Sequence, residues 1–194
     1  MIKFIISTLL LMGLSLSVQA DELTVLQEDM TQRVDRVIKA LTNETLSKEQ
    51  KNSELESAGE GLFDYTLMAK LSIGKKEWSK LALAQKKEFV KLFETNMKSS
   101  YIEKSHLLSD EKVIVKDAVK IKKNRIHLSV TVEGKKDAIT LTYKYYLKKG
   151  KWLVFDVEIA DVSILKTYRA QFAEILGSDS MDALIQKLKD KQSS

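Results

Sequence analysis

Neither cysteine nor proline occurs anywhere in the 194-residue chain. Without cysteine there is no disulfide and no thiolate nucleophile, so an apolar core alone must hold the fold. Only two histidines are present, His106 and His127, and no closed zinc spacing can be written from them. No Walker loop, dinucleotide fingerprint or G-x-S-x-G elbow appears. Asp156 near Tyr143 or Tyr145 is the one acid–phenol pairing left for an enzyme reading, and an Asp that hydrogen-bonds a neighbouring loop is the simpler account of it. Charge of one sign is lacking as well. The chain has 32 Lys and Arg against 27 Asp and Glu, a net charge of +5, too weak to indicate nucleic acid by itself. No aromatic-plus-basic platform accompanies it.

Long hydrophobic runs are confined to the amino terminus, MIKFIISTLLLMGLSLSVQA. One Lys precedes an apolar stretch from Phe4 to about Val18, and Val18-Gln19-Ala20 has the small-x-small pattern of a signal-peptidase site. The run falls short of the ~20 apolar residues needed to span a bilayer. Residues 1–20 are therefore expected to be a cleaved signal peptide, leaving 21–194 as a single exported domain with no cysteine for lipid attachment. No internal repeat or low-complexity linker divides it.

The remaining chain is patterned helices first, strands second. Leu23, Leu26, Met30, Val34, Val37, Ile38 and Leu41 form a helical stripe. A polar, Lys- and Glu-rich segment from Thr42 to Gly61 follows, broken by Gly59 and Gly61. Leu62 to Ile73 reads as a short helix ended by Gly74, with Trp78 in a loop or turn. The next helix, Ala82 to Lys104, carries Phe89, Phe93, Met97 and Tyr101 four apart. Such a stripe suits a packed core or the wall of a pocket, and periodicity does not separate the two.

Four strands are then expected. The first runs from Val113 to Val115, or on to Val119. Ile126, Leu128, Val130 and Val132 alternate in the second, and Ile139, Leu141, Tyr143, Tyr145 and Leu147 in the third. In the fourth, Leu153, Phe155, Val157 and Ile159 share one face. Short polar links at 122–125, 133–137 and 148–151 make antiparallel hairpins, because parallel pairs need longer crossovers. Helices followed by strands indicate an α+β domain. In such a meander Lys122, Lys123, Arg125, Lys148, Lys149 and Lys151 gather at one end, with Lys135 and Lys136 at the other. Lysines there block edge pairing or offer a dock for acidic partners or lipid headgroups. Asp161 and Ser163 then offer caps for a last long helix. It carries Ile164, Leu165, Tyr168, Phe172, Ile175 and Leu176 on one side and ends at Gly177.

Several of these segments together resemble the MlaC family of periplasmic phospholipid carriers. Trp152, Val154, Asp156 and Val157 match its W-x-V-x-D-V strand, Val162-Ser163 its turn, and Tyr168, Arg169, Gln171 and Phe172 its Y-R-x-Q-F helix. Phe63-Asp64, Met68-Ala69, Leu71, Gly74 and Trp78 resemble its F-D…M-A…L-G-x-x-W segment. Gln85, Phe89 and Phe93 resemble the helix after it, and Leu184, Ile185 and Leu188 the closing L-I-x-x-L helix. Where family members commonly have a proline before F-D, this chain has Gly61-Leu62.

The resemblance implies a cystatin-like (nuclear-transport-factor-like) fold: a curved four-stranded antiparallel sheet packed with helices around a deep apolar pocket. It implies phospholipid as cargo with no resident cofactor, and no catalysis. The partners it implies are an outer-membrane lipoprotein complex and an inner-membrane ABC transporter with its substrate-binding ring. Enclosure is physically required of such a carrier, since each exposed methylene costs ~0.8 kcal/mol. Phe89, Phe93, Met97, Val130, Leu141, Tyr143, Phe155, Val157 and Phe172 are the expected lining. The alternatives are a periplasmic adaptor whose interior is only a packed core and, more weakly, an enzyme on the same fold.

Overall fold

The computed structural model describes residues 3–106, 111–134 and 137–192, with side chains from Glu22 onward. Helix α1 spans Lys3–Thr42, so it starts well before the stripe at Leu23, and the expected cleavage point after Ala20 lies within it. Leu26 and Met30, four apart, are buried against the sheet, while Ala40 and Leu41 meet Leu55 of α2, Lys48–Gly59. Ser47 starts α2 with a reciprocal cap: Gln50 N donates to its Oγ, and Ser47 N donates to Gln50 Oε1.

Helix α3, Tyr65–Lys80, is capped by Asp64, whose Oδ1 accepts from Leu67 N at 3.0 Å. It does not stop at Gly74. That residue forms a kink at φ 79°, ψ 163°, and the chain resumes helix, so Trp78 is helical rather than in a loop. Helices α4, Leu83–Ser105, α5, Ile164–Ser178, and α6, Met181–Asp190, complete the helical layer. Phe89, Phe93, Phe172, Leu184 and Leu188 form its core together with Met68 and Ala69. Each such large side chain taken fully from water contributes about 1.5–3 kcal/mol.

The strands are β1 (Lys112–Val115), β2 (Val119–Lys122), β3 (Arg125–Glu133), β4 (Ala138–Lys148), β5 (Lys151–Ile159) and β6 (Val162–Ser163). Six strands thus replace the expected four. The weak first strand is two pieces, β1 and β2, which lie end to end along β3. Beyond β5 the two-residue β6 adds a hairpin. All named pairings are antiparallel, in the order β1-β3-β4-β5-β6 with β2 also on β3. The remaining edge of β5 is covered by chain from before α3. Val154 N donates to Leu62 O at 2.8 Å and Asp64 N to Val154 O at 2.9 Å.

One bulge changes the reading of β5. Val154 lies opposite Tyr145 and Asp156 opposite Lys144, leaving Phe155 as the extra residue. The bulge flips the alternation, so Trp152 and Val154 join Val157 and Ile159 on the inner face. Phe155 packs instead on the outer face, edge-on to Tyr146 at 5.8 Å, with the Arg125 guanidinium 5.1 Å from its ring centre. The expected single face of Leu153, Phe155, Val157 and Ile159 is therefore corrected. Two caps also differ. Ser163 caps α5 by accepting from Lys166 N at 3.1 Å, but Asp161 does not; it sits in the β5–β6 turn at φ 64°. Gly177 lies inside α5, whose cap is Asp179.

Candidate functional site

The inner face of the sheet is closed at one end and loosely covered at the other. Ile126, Tyr145 and Val154, neighbours across β3, β4 and β5, are fully buried. Two rungs on, Val130 is buried, but Leu141 and Ile159 opposite it are only half-buried. Tyr143 lies between these ends. Burial holds its phenol well above the ordinary tyrosine range, with the Tyr101 phenol of α4 in electrostatic reach. Its side chain nevertheless keeps accessible surface.

Half-buried groups also stand on the helices. Met97 and Tyr101 lie on α4, one and two turns beyond Phe93. With Leu55, Phe63 and Tyr65 they line a crevice between α2, α3 and α4. Desolvation raises both the Tyr101 and Tyr65 phenols, as expected for hydroxyls at an apolar wall. The crevice is narrow. Its cavity volume is about 30 Å³, room for a water or two and far below the roughly 300–1,000 Å³ of a ligand pocket. A larger hollow of about 570 Å³ lies along α1 and α2, but Gln32, Asp35, Arg36, Lys39 and Glu54 make it a polar surface groove. Neither of these two cavities among the described residues is the expected deep apolar pocket.

All the expected lining residues but Phe155 fall into three groups. Met97 lines the crevice, and Leu141 and Tyr143 lie half-buried on the loosely covered part of the sheet. Val130 and Val157 lie beside it in the closed sheet core. Phe89, Phe93 and Phe172 belong to the helical core, where the Phe172 ring centre lies 5.9 Å from Phe89 and 6.5 Å from Phe93. Phe155 alone is on the outer face. Of the residues that periodicity did not single out, Phe63 and Tyr65 reach the crevice where the chain before α3 is laid along β5, and Leu55 reaches it from α2. Their local pattern carries no signal of that. Tyr101 was legible as the last member of the four-apart stripe.

Two comparisons bear on this geometry. The sequence profile of the family described as MlaC protein matches residues 31–190. The chain belongs to the MlaC family. Its fold is similar to that of a phospholipid-binding protein from Ralstonia solanacearum, whose structure was solved in complex with a phospholipid at 1.53 Å. The TM-score is 0.72 at 17% identity, covering 86% of this chain and 96% of that one. No curated protein matches the chain by sequence.

The residues that carry the MlaC resemblance act mostly as joints between elements. Asp64 of the F-D pair caps α3 and also accepts from the Tyr146 hydroxyl and Lys148 Nζ. Burial pushes its carboxyl upward, but those hydrogen bonds outweigh it and hold the group below its usual range. Trp152 donates from Nε1 to Glu22 Oε1 at 2.7 Å, tying β5 to α1. Arg169 lays its guanidinium against Gly74, with Nη2 3.2 Å from where a Cβ would stand. Asp156 is a structural acceptor, taking hydrogen bonds from Ser163 Oγ and Leu165 N. Among the described residues no cluster of His, Asp or Glu could hold a metal, and no helix is long and apolar enough to cross a membrane.

Proposed function

We propose that this protein carries phospholipid without making or breaking a bond. The acyl chains lie between the inner sheet face and helices α2 and α4, and the headgroup stays near solvent. The observation that carries the reading is the half-buried set of Leu141, Tyr143 and Ile159 on the inner sheet face, with the Tyr101 phenol of α4, which lines the crevice, in electrostatic reach of Tyr143. Membership of the MlaC family and a fold shared with a phospholipid-bound protein support it. The curved sheet with helices on one side is cystatin-like, or nuclear-transport-factor-like, in this reading. Residues 1–20 direct export and are removed. The carrier works in the periplasm, between an outer-membrane lipoprotein complex and an inner-membrane ABC transporter with its substrate-binding ring.

Uptake requires widening. A crevice of about 30 Å³ does not admit a diacyl lipid, so α2 and α4 must part from the sheet as the chains enter. Exchanging side-chain contacts for acyl-chain contacts keeps apolar area out of water throughout, which lets the opening proceed at moderate cost. The same narrowness favours the alternative, a periplasmic adaptor with a closed core and no cargo.

Native mass spectrometry of residues 21–194, purified without detergent, separates the two. A mass excess matching a phospholipid, released on denaturation, supports the carrier. A clean protein mass even after incubation with vesicles overturns it in favour of the adaptor. Met97→Trp is the blocking variant of choice, because Met97 is half-buried at the crevice. Val157→Trp would overpack a closed site, at about 1–3 kcal/mol. The Met97→Trp protein should keep its circular dichroism and lose the lipid mass.

A further inference from the structure

The end of the sheet that carries the β2–β3 and β4–β5 turns is a basic surface with two aliphatic side chains set into it. Register brings the parts together: Lys122 pairs with Arg125 across the first turn, Lys148 with Lys151 across the second, and Arg125 lies opposite Tyr146. The acids nearby are already engaged, Asp64 by Lys148 and Glu22 by Lys120. Lys122, Lys123, Lys149 and Lys151 are exposed, and no ion pair involves them among the described residues. Arg125 is spent on aromatic faces rather than on a carboxylate, stacking over Tyr146 and Phe155. Between these charges Ile121 is 48% exposed and Leu147 38%. Ile121 sits at the register shift between Lys120 and Lys122, outside the regular ladder.

Protection of a sheet edge accounts for only part of this. Lysines on β2 blunt an edge strand, but Lys149 and Lys151 belong to the β4–β5 hairpin, and the far side of β5 is covered by residues 62–64 and β6. Lys149, in the turn itself, guards no strand edge. Like-charged side chains gathered on turn tips repel one another unless a counter-charge approaches.

We propose that this end of the sheet docks the protein on an anionic bilayer surface. The chemistry favours a membrane over an acidic protein. Protein interfaces are enriched in Arg and aromatic residues and depleted of Lys. Juxtaposed lysines with a few aliphatic side chains are what anionic headgroups and the layer beneath them accept. The docking itself does not depend on the protein holding a lipid.

Co-sedimentation of the purified protein with phosphatidylcholine vesicles, with and without phosphatidylglycerol, tests this. Binding is expected only where phosphatidylglycerol is present, and it should weaken as salt is raised. Each lysine at an anionic surface contributes about a fivefold factor in partition, so the triple variant Lys122→Gln, Lys149→Gln, Lys151→Gln should lose about a hundredfold. Its thermal midpoint and its lipid content by native mass spectrometry should not change. Ile121→Ser should weaken the binding that survives at high salt. Absence of vesicle binding by the unaltered protein, or a triple variant that binds as well, overturns the proposal. Salt-sensitive binding to an acidic protein with none to vesicles overturns it equally and gives this end a protein partner.

Discussion

Ser163 donates its hydroxyl to Asp156 Oδ2 at 2.8 Å while accepting from Lys166 N at 3.1 Å. One serine therefore caps α5 and is itself held by the strand that precedes the turn. Asp156 adds a second hold by accepting from Leu165 N at 3.2 Å, and it lies 3.6 Å from Lys144 Nζ. Asp156→Ala would leave a buried hydroxyl and a helix-terminal N–H without their acceptor. The expected loss is about 2–4 kcal/mol, built from a cap and a buried hydrogen bond. Asp156→Asn should cost roughly half as much, since its amide can still accept from Leu165 N. Urea unfolding of the two variants checks the order. An Asp156→Ala protein of unchanged midpoint would mean that the strand–helix joint is held elsewhere.

The Asp64 carboxylate gives a pH signature with a fixed sign. Its folded pKa is held below the ordinary value by Lys148 and Tyr146 despite burial. The stability it contributes is thus fully present above the unfolded pKa of about 3.9. It is lost as pH falls through the lower folded value. Asp64→Asn should be less stable than the parent at neutral pH, and the gap should close as the medium is acidified through the lowered folded pKa of Asp64. Thermal melts at a series of pH values read this directly. A gap independent of pH would show that the charge on Asp64 contributes nothing and that only its cap to Leu67 N does.

Gly74 is required by its dihedral angle. At φ 79°, ψ 163°, a region that essentially only glycine occupies, an L side chain is strained by about 1–3 kcal/mol. The Arg169 guanidinium 3.2 Å from the would-be Cβ is the far end of a flexible side chain and can shift. Gly74→Ala should therefore destabilise by about 1–3 kcal/mol. Adding Arg169→Ala should not restore the loss. Recovery in the double variant would show instead that the close approach of Arg169 is the constraint.

These joints also show how far the sequence could be read. The helix stripes at Leu26–Met30 and Phe89–Phe93, the hairpins of β3, β4 and β5, and the basic end of the sheet follow from local periodicity and turn chemistry. Each is decided within a dozen residues. Phe155 was misplaced because a bulge is a tertiary event: the strand reads as unbroken alternation, and only its pairing to Lys144 and Tyr145 reveals the extra residue. Gly74 looked like a helix end because a left-handed glycine usually is one, whereas Arg169 and the packing of α3 on α5 let the helix resume. The crevice residues Phe63 and Tyr65 depend on a segment before α3 running beside β5, a contact of roughly ninety residues' separation that no local pattern encodes. The family resemblance was strongest at those long-range joints. The lysines at 135 and 136 lie outside the described residues.

Tyr145 presents the reverse of the satisfied joints. Its side chain is 1% exposed, and its hydroxyl is buried with no hydrogen-bond partner among the described residues. Burial also drives its phenol upward, with the Tyr143 phenol and the Asp29 carboxylate adding to the rise. An unpaired buried hydroxyl costs about 1–3 kcal/mol relative to an apolar group of the same shape. Tyr145→Phe keeps the ring that packs on Ile126 and Val154 and deletes only the oxygen. The variant should therefore be more stable by about 1 kcal/mol, taking the low end of that range because water penetration relieves part of the cost. Denaturant unfolding measures the difference. Should Tyr145→Phe be less stable than the parent, the hydroxyl must have a partner, an internal water or a polar atom held in the interior, and Tyr145 would then mark a polar station beside the apolar space bordered by Tyr143.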